Sequence, residues 1–328
     1  MAITPIFIFS VSRSGSTLVQ RIIAAHEGVA TVSEPWLLLP QMYALRRTGV
    51  DAEYFHPLMV DAIADFCAEL PGGSEDYRHE LRDYMLRLYR RAAGDGARYF
   101  VDKSPPYCLV AAQIMELFPE GRFVFLWRNP LSIAASVIET WEPWRPTLFP
   151  SDLFTGLPRL VSAYADAGDR AHSARFEDLV TGERGHWSRL LDYLGIDFEE
   201  ESLSSFAAVE LNGRTGDPTG VKRYSALSAE PSQKWKRTLA NPLRRAWARR
   251  YLGFLGDERL ALMGYSGERL VDELEAQPRH AEAMLGDCGR LLVDVAKEPV
   301  RVRTRNRKIG SPNVIRALLA AEPARGTR

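Results

Sequence analysis

Pro5-Ile-Phe-Ile-Phe-Ser-Val-Ser-Arg13-Ser-Gly-Ser-Thr17-Leu-Val-Gln-Arg-Ile-Ile23 decides the fold. Its first half is an unbroken β-branched and aromatic run, the composition of a strand buried on both faces. The second half carries apolar residues at Leu18, Ile22 and Ile23, the spacing of one helix face. Small residues join the two. A strand, a tight loop and a helix in that order make an anion cradle, because loop N–H groups and the positive end of the helix dipole converge. The loop departs from the G-x-x-x-x-G-K-[ST] pattern: Ser10 stands at the first Gly and Ser16 at the Lys, so only Gly15 and Thr17 match. The cation sits instead at Arg13, whose guanidinium can hold an oxygen with two donors. A plain βα turn would also use small residues. The strand, the arginine, Ser-Gly-Ser-Thr and the helix together favour the anion site.

Phe123-Val-Phe-Leu-Trp127 is a second continuous apolar run, long enough for a buried parallel strand. Arg128-Asn-Pro130 follows at once. Pro130 suits the first turn of a helix, which Leu131-Ser-Ile-Ala-Ala-Ser-Val-Ile138 continues. Arg128 is therefore expected at the carboxyl end of a strand, with Ser136 about two turns along the next helix. An arginine and a serine so placed can close on one phosphate. Open α/β sheets bind ligands at the carboxyl ends of their strands.

The rest of the chain alternates strand and helix. Strands are expected at 6–11, 29–32, 99–102, 123–127 and 174–176. Helices are expected at 16–26, 36–46, 54–70, 77–93, 107–118, 131–140, 186–194 and 242–255. Gly94-Asp-Gly96 and Pro119-Glu-Gly121 punctuate helix ends. Such alternation predicts an α/β fold of three layers, a central parallel sheet with helices on both faces. The segment 51–96 reads as a helical insertion over the mouth of the site, where it would shape an acceptor pocket. Trp141-Glu-Pro-Trp-Arg-Pro146 reads either as a structured loop near the site or as a packed aromatic corner. Asn212 to Gly220 is polar and turn-rich, the composition of a mobile loop. Beyond Gly267 two helical patterns lead to Arg301-Val-Arg-Thr-Arg305-Asn-Arg-Lys308, where Arg alternates with Val and Thr. That stretch suits an edge strand or an extended arm for an anionic acceptor, lipid head groups or a partner, although charge runs are most often solvated faces. The end at 323–328 is expected to fray.

With 46% hydrophobic and 26% charged residues, the composition is that of an ordinary globular protein. A formal net charge of +0 means that any basic site is local, and it gives no support to nucleic-acid binding. Cys67, Cys108 and Cys288 are far apart and the histidines are scattered, so neither a disulfide framework nor a metal site is expected. No run approaches the roughly 20 apolar residues of a membrane span, and the start has no charged n-region of a signal peptide. These features lead us to expect a reduced, cytoplasmic protein without a metal or a transmembrane segment.

Arg13-Ser-Gly-Ser-Thr17 resembles the 5′-phosphosulfate loop of sulfotransferases that use 3′-phosphoadenosine 5′-phosphosulfate (PAPS). Arg128-Asn-Pro130 with Ser136 resembles their 3′-phosphate motif. Arginine in the first loop is closer to the carbohydrate and tyrosylprotein branches, since the cytosolic aryl branch usually has Lys there. Ala174-Arg-Phe-Glu-Asp-Leu-Val180 resembles the R-Y-E-D-L segment, with Phe176 in place of the usual Tyr. Gln233-Lys-Trp-Lys236 resembles the S-K-W-type segment, and Leu262-Met-Gly-Tyr265 the usual end of the domain. The resemblance covers about 3–266, which implies a sulfotransferase domain over 1–266 and a helical, basic extension over 267–328. Peripheral membrane contact through that extension is open.

The resemblance implies in-line sulfuryl transfer from PAPS to a hydroxyl acceptor: a carbohydrate, glycolipid, peptide or small metabolite. It also assigns roles. Arg13, Ser14, Gly15, Ser16 and Thr17 would hold the 5′ end of the co-substrate. Arg128, Ser136 and Lys234 would hold the 3′-phosphate end, and Tyr224 would also bind the co-substrate. Arg13 and Lys103 would stabilise charge on the transferring group, and Lys103 matches the lysine of the N-K-D-P-type segment. Glu34 matches the glutamate that acts as base in the carbohydrate and tyrosylprotein branches. The residues alone allow two plainer accounts: Glu34 as a carboxylate near the first turn of the Trp36 helix, and Asp102–Lys103 as a strand-end ion pair. They also leave open a P-loop-type small-molecule kinase using ATP and Mg, or a non-catalytic nucleotide-binding protein.

Overall fold

The computed structural model describes residues 3–216, 226–228, 233–308 and 313–326. Five strands form one parallel sheet: β1 (Thr4–Phe9), β2 (Val29–Thr31), β3 (Tyr99–Asp102), β4 (Arg122–Trp127) and β5 (Ala171–Arg175). Their order is β2-β3-β1-β4-β5, with every neighbouring pair parallel. The chain builds outward from β1 in one direction to β3 and β2, and in the other to β4 and β5. The winding therefore reverses beside β1, which opens a crevice at the carboxyl ends of β1 and β4.

Strand composition follows from burial on both faces. Along β1, successive side chains alternate: Ile6 and Ile8 join one apolar cluster, while Phe7 and Phe9 join the other. The helices α1 (Ser16–Ala24), α8 (Phe176–Leu179) and α9 (Arg184–Leu194) cover the isoleucine face through Val19, Ile22, Leu179, Trp187 and Leu190. The phenylalanine face is a ring-rich layer in which Phe7 and Phe9 stack on Phe123 at 5.7 and 5.9 Å. It is covered by α2 (Leu38–Tyr43), α4 (Ser74–Ala93), α5 (Ala111–Leu117), α6 (Pro130–Thr140), α7 (Leu157–Ala167) and the helix Pro242–Leu255. Each such ring contributes roughly 1.5–3 kcal/mol by leaving water. Leu270, Val271, Leu274, Val314 and Leu318 from the 267–326 region belong to this same cluster.

Several expected elements differ. β1 ends at Phe9, so Ser10 and Val11 already belong to the loop. The helix expected at 36–46 shrinks to α2, because Trp36 adopts φ 53°, which no helix accommodates. The helix expected at 107–118 splits into a 3₁₀ turn, Pro105–Leu109, and α5. β5 spans Ala171–Arg175 and not 174–176, since Phe176 opens α8. α7 is an additional helix, and Pro158 sits in its first turn, where proline is at home. The region 301–308 is neither strand nor extended arm; its backbone continues the helix Met284–Lys308. Arginine is a good helix former, and a short period-2 pattern does not outweigh an upstream helix already propagating.

The region 51–96 holds α3 (His56–Ala68) and α4. α4 buries Leu81, Met85 and Tyr89, a stripe at i, i+4, i+8, against the sheet layer. It is a wall of the fold, and among the described residues lining the cavity below, none comes from 51–96.

Candidate active site

A cavity of about 660 Å³ opens at the carboxyl ends of the central strands. Arg13, Gly15, Ser16, Thr17, Glu34, Arg128, Ser136 and Lys234 all line it. Residues more than a hundred positions apart meet here because β1 and β4 are sheet neighbours at the switch point.

The loop after β1 owes its shape to two left-handed residues, Arg13 at φ 67° and Gly15 at φ 84°. A Cβ at Gly15 would stand 2.3 Å from the ring carbons Cδ2 and Cε2 of Phe176, so both conformation and space require glycine. Gly15 caps α1 without any side-chain hydrogen bond, which leaves the first N–H groups of the helix facing the cradle. Ser14 is buried and lies outside the cavity lining, and its Oγ has no partner among the described residues.

Arg128 leaves the end of β4 and donates from Nη1 to the carbonyl of Arg13 at 2.7 Å. Its guanidinium lies 4.8 Å from the centroid of Phe176, so that phenylalanine wedges between the loop and the arginine. Arg13 donates from Nε to Ser136 Oγ at 3.0 Å and from Nη2 to Thr140 Oγ1 at 3.4 Å on α6, and lies 5.2 Å from the Trp141 ring. The two anion motifs are thus bonded to each other. Asn129 caps α6 by accepting from Leu131 N at 2.9 Å, and Glu177 accepts from Asn129 N at 3.0 Å.

A second group lies on the β3 side. Lys103, 1% exposed, donates from Nζ to Glu34 Oε1 at 2.7 Å and lies 3.3 Å from Thr17 Oγ1. Trp36 Nε1 donates to Glu34 Oε2 at 3.3 Å. Glu34 is therefore fixed by tertiary partners, four residues before α2 begins, and the helix-start account of it does not hold. Nor does the Asp102–Lys103 pair: Asp102 accepts from Tyr89 at 2.7 Å, Tyr107 at 3.0 Å and Ser104 at 3.4 Å. Burial pushes the Asp102 carboxyl up to about 6, against those hydrogen bonds. Gln20 orients the strand leading to Glu34 by donating to Thr31 Oγ1 at 2.8 Å and Val32 O at 2.7 Å.

On the remaining wall, Asp152 was not foreseen. Asp152, in a π-helical turn at Ser151–Gly156, accepts from Ser12 N at 2.8 Å. Burial raises its carboxyl, and the nearby Glu34 charge raises it further, while the Ser12 bonds pull it down. Its only sequence signal was a polar residue after Pro150, which carries no periodicity. Trp141 lines the cavity while Trp144 is fully packed, so the aromatic loop is at once a site wall and a corner. Three left-handed non-glycine residues, Arg13, Trp36 and Phe149, line this one cavity, a concentration of backbone strain expected at functional sites. From the loop at 212–216, Thr215 Oγ1 donates to Glu34 O at 2.6 Å, Ser33 N donates to Asn212 O at 3.0 Å, and Ser33 Oγ donates to Thr215 O. Tyr224 and the rest of that loop, 217–225, lie outside the described residues.

The cavity thus gathers Arg13 and Arg128 at the switch point of an α/β sheet, with a lysine-bound carboxylate, Glu34, beside them. A sequence profile of the Sulfotransferase family matches residues 5–200, and the chain belongs to that family. Nodulation protein NoeE of Sinorhizobium fredii is 30% identical over 215 residues, which are 58% of this chain and 50% of that protein; the chain thus spans about half the length of this relative. Among solved structures, the sulfotransferase domain from the Synechococcus PCC 7002 olefin synthase is 23% identical, with 72% of this chain and 88% of that chain covered at a TM-score of 0.48. Mouse sulfotransferase SULT7A1 complexed with PAP is 12% identical, with coverage of 80% and 89% and a TM-score of 0.46.

Proposed function

We propose that this chain transfers a sulfuryl group from PAPS to a hydroxyl of an acceptor. The observation that carries the proposal is that Arg13, Arg128, Ser136 and Glu34 line one cavity, with Lys103 joining Glu34 to the loop helix through Thr17. The residues suit the co-substrate: a helix start without a side-chain cap and a glycine cradle with no room for a Cβ. Arg13 and the loop N–H groups would hold the 5′-phosphosulfate end, and Arg128, Ser136 and Lys234 the 3′-phosphate end.

PAPS supplies the sulfuryl group and leaves as 3′-phosphoadenosine 5′-phosphate (PAP). The acceptor oxygen forms the new S–O bond as the S–O bond to the leaving phosphate breaks. Glu34 takes the acceptor proton, and Arg13 and Lys103 face the negative charge that grows on the leaving and transferring oxygens. Positioning and electrostatics supply most of such a reaction, as in phosphoryl transfer. The bond from Lys103 Nζ keeps the Glu34 carboxylate aimed until the acceptor enters. Cys67, Cys108 and Cys288 are free thiols, which supports a reducing, cytoplasmic setting.

The test is calorimetric titration of the full chain with PAP, and separately with ATP and Mg²⁺, followed by transfer from labelled PAPS to a panel of sugars, glycolipids, peptides and phenols. We expect PAP to bind without Mg²⁺ and label to reach at least one hydroxyl acceptor. Tighter binding of ATP with Mg²⁺, and indifference to the 3′-phosphate, would overturn the proposal in favour of a kinase.

A further inference from the structure

The helix Met284–Lys308 is turned inside out. A surface helix normally buries its apolar stripe and shows its charges to water. Here Asp287 and Asp294 are 0% and 3% exposed, while Leu285 and Leu292 are 91% and 71% exposed. Leu285 and Leu292, seven apart, share one stripe at the ~3.6-residue helical period, with the exposed Val293 and Val295 on its flanks. Asp287 and Asp294, also seven apart, lie on the opposite side.

This orientation is fixed by strong hydrogen bonds. Asp287 accepts from Arg244 Nε at 2.7 Å, Asn241 Nδ2 at 2.7 Å and Arg290 Nη2 at 2.8 Å. Asp294 accepts from Thr147 Oγ1 at 2.5 Å, and Arg290 Nε donates to the Trp144 carbonyl at 2.9 Å. Rotating the leucines inward would strip those carboxylates of their donors, so the apolar stripe stays outside. Singly exposed leucines are ordinary, but a continuous stripe along one helix marks a contact surface.

The same helix backbone runs on through Arg301, Arg303, Arg305, Arg307 and Lys308, with no carboxylate among residues 301–308. The whole chain carries a formal net charge of +0, so this is a local concentration of cations. An exposed apolar stripe joined to a basic run is what a bilayer with anionic head groups accepts: apolar side chains enter the acyl boundary and cations meet the head groups. A second copy of the chain would bring the same cations and no acid from this segment to answer them. We propose that the helix Met284–Lys308 seats the protein on an anionic lipid surface. Thr147 and Trp144, which hold the helix, belong to the strap that also carries Trp141 and Phe149 into the cavity wall. Docking there would bring the acceptor wall close to the lipid. The inference does not depend on the transfer reaction.

The test is co-sedimentation of the full chain with phosphatidylcholine vesicles and with vesicles holding about one third phosphatidylglycerol, at low and high salt. Alongside it run the double variants Leu285→Gln/Leu292→Gln and Arg301→Glu/Arg303→Glu. We expect binding to the anionic vesicles alone, weakened by salt, and reduced at least about tenfold in each variant. Circular dichroism melts of the leucine variant should match the parent, because both leucines are exposed. Absence of binding to anionic vesicles, or equal binding by the leucine variant, would overturn the proposal. Light scattering that shows a dimer dissolved by the leucine variant, with no vesicle binding, would overturn it in favour of self-association.

Discussion

In the loop that we propose grips the co-substrate's phosphates, Arg13 to Thr17 are consecutive, and Arg128 joins them across a single pair of neighbouring strands. In the facing wall, the proposed acceptor side, Glu34 with Trp36, then Trp141, Asp152 and Thr215 come from four separate segments and are held by side-chain hydrogen bonds and packing. The two meet at the loop itself, where Ser12 N–H goes to Asp152 and the residues from Arg13 on line the cavity. The contrast has a physical origin. Phosphate groups are gripped largely by backbone N–H groups and a helix dipole, which need one local conformation. An acceptor of particular shape needs side chains brought in from several directions, and only the folded chain sets their places.

That contrast can be broken first at Glu34. Glu34→Gln keeps size and much of the hydrogen bonding but removes the base. We expect kcat for sulfuryl transfer to fall about 10²–10⁴-fold, with PAP affinity by calorimetry unchanged. A comparable loss of PAP affinity would mean that the two regions are one unit.

Arg128→Ala probes the other side. Losing a charge-assisted contact costs roughly 1.5–3 kcal/mol, so PAP should bind about 10- to 100-fold more weakly in titration. The variant also loses the bond to the Arg13 carbonyl, so a thermal melt should accompany the titration. Unchanged PAP affinity would remove Arg128 from the 3′-phosphate end.

The smallest expected effect sharpens the boundary between the regions. Asp102 is raised to about 6 from 3.8, chiefly by burial. Between about pH 4 and pH 6 the folded chain therefore holds a proton that the unfolded chain has released. Stability from this group is present below that window, falls as pH rises through it, and is flat above it. Asp102→Asn should remove that slope from the melting temperature measured across pH 4–7. An unaltered slope would show that Asp102 titrates normally inside its tyrosine cage.

The sheet, its parallel sense and the cradle were legible because they depend on local patterns: β-branched runs, small loop residues and a helix-opening proline. The same residues gave Arg13, Arg128 and Ser136. Sequence could also offer Glu34 and Lys103 as candidates, but it could not pair them. Asp102 seemed the natural neighbour of Lys103, yet Asp102 ends β3 turned to the tyrosines while Lys103, the next residue, reaches Glu34. Asp152 was silent because an irregular turn carries no period to read.

The sequence by itself determined that this chain folds as a three-layer α/β protein with a strand–loop–helix at the site, since those features arise from hydrophobic periodicity and backbone conformation within short windows. Only the tertiary structure decided which carboxylate meets Lys103, which side chains wall the cavity, and that the helix Met284–Lys308 faces its leucines outward. Those outcomes depend on hydrogen bonds between residues far apart in sequence, and on the cost of leaving a buried charge without them.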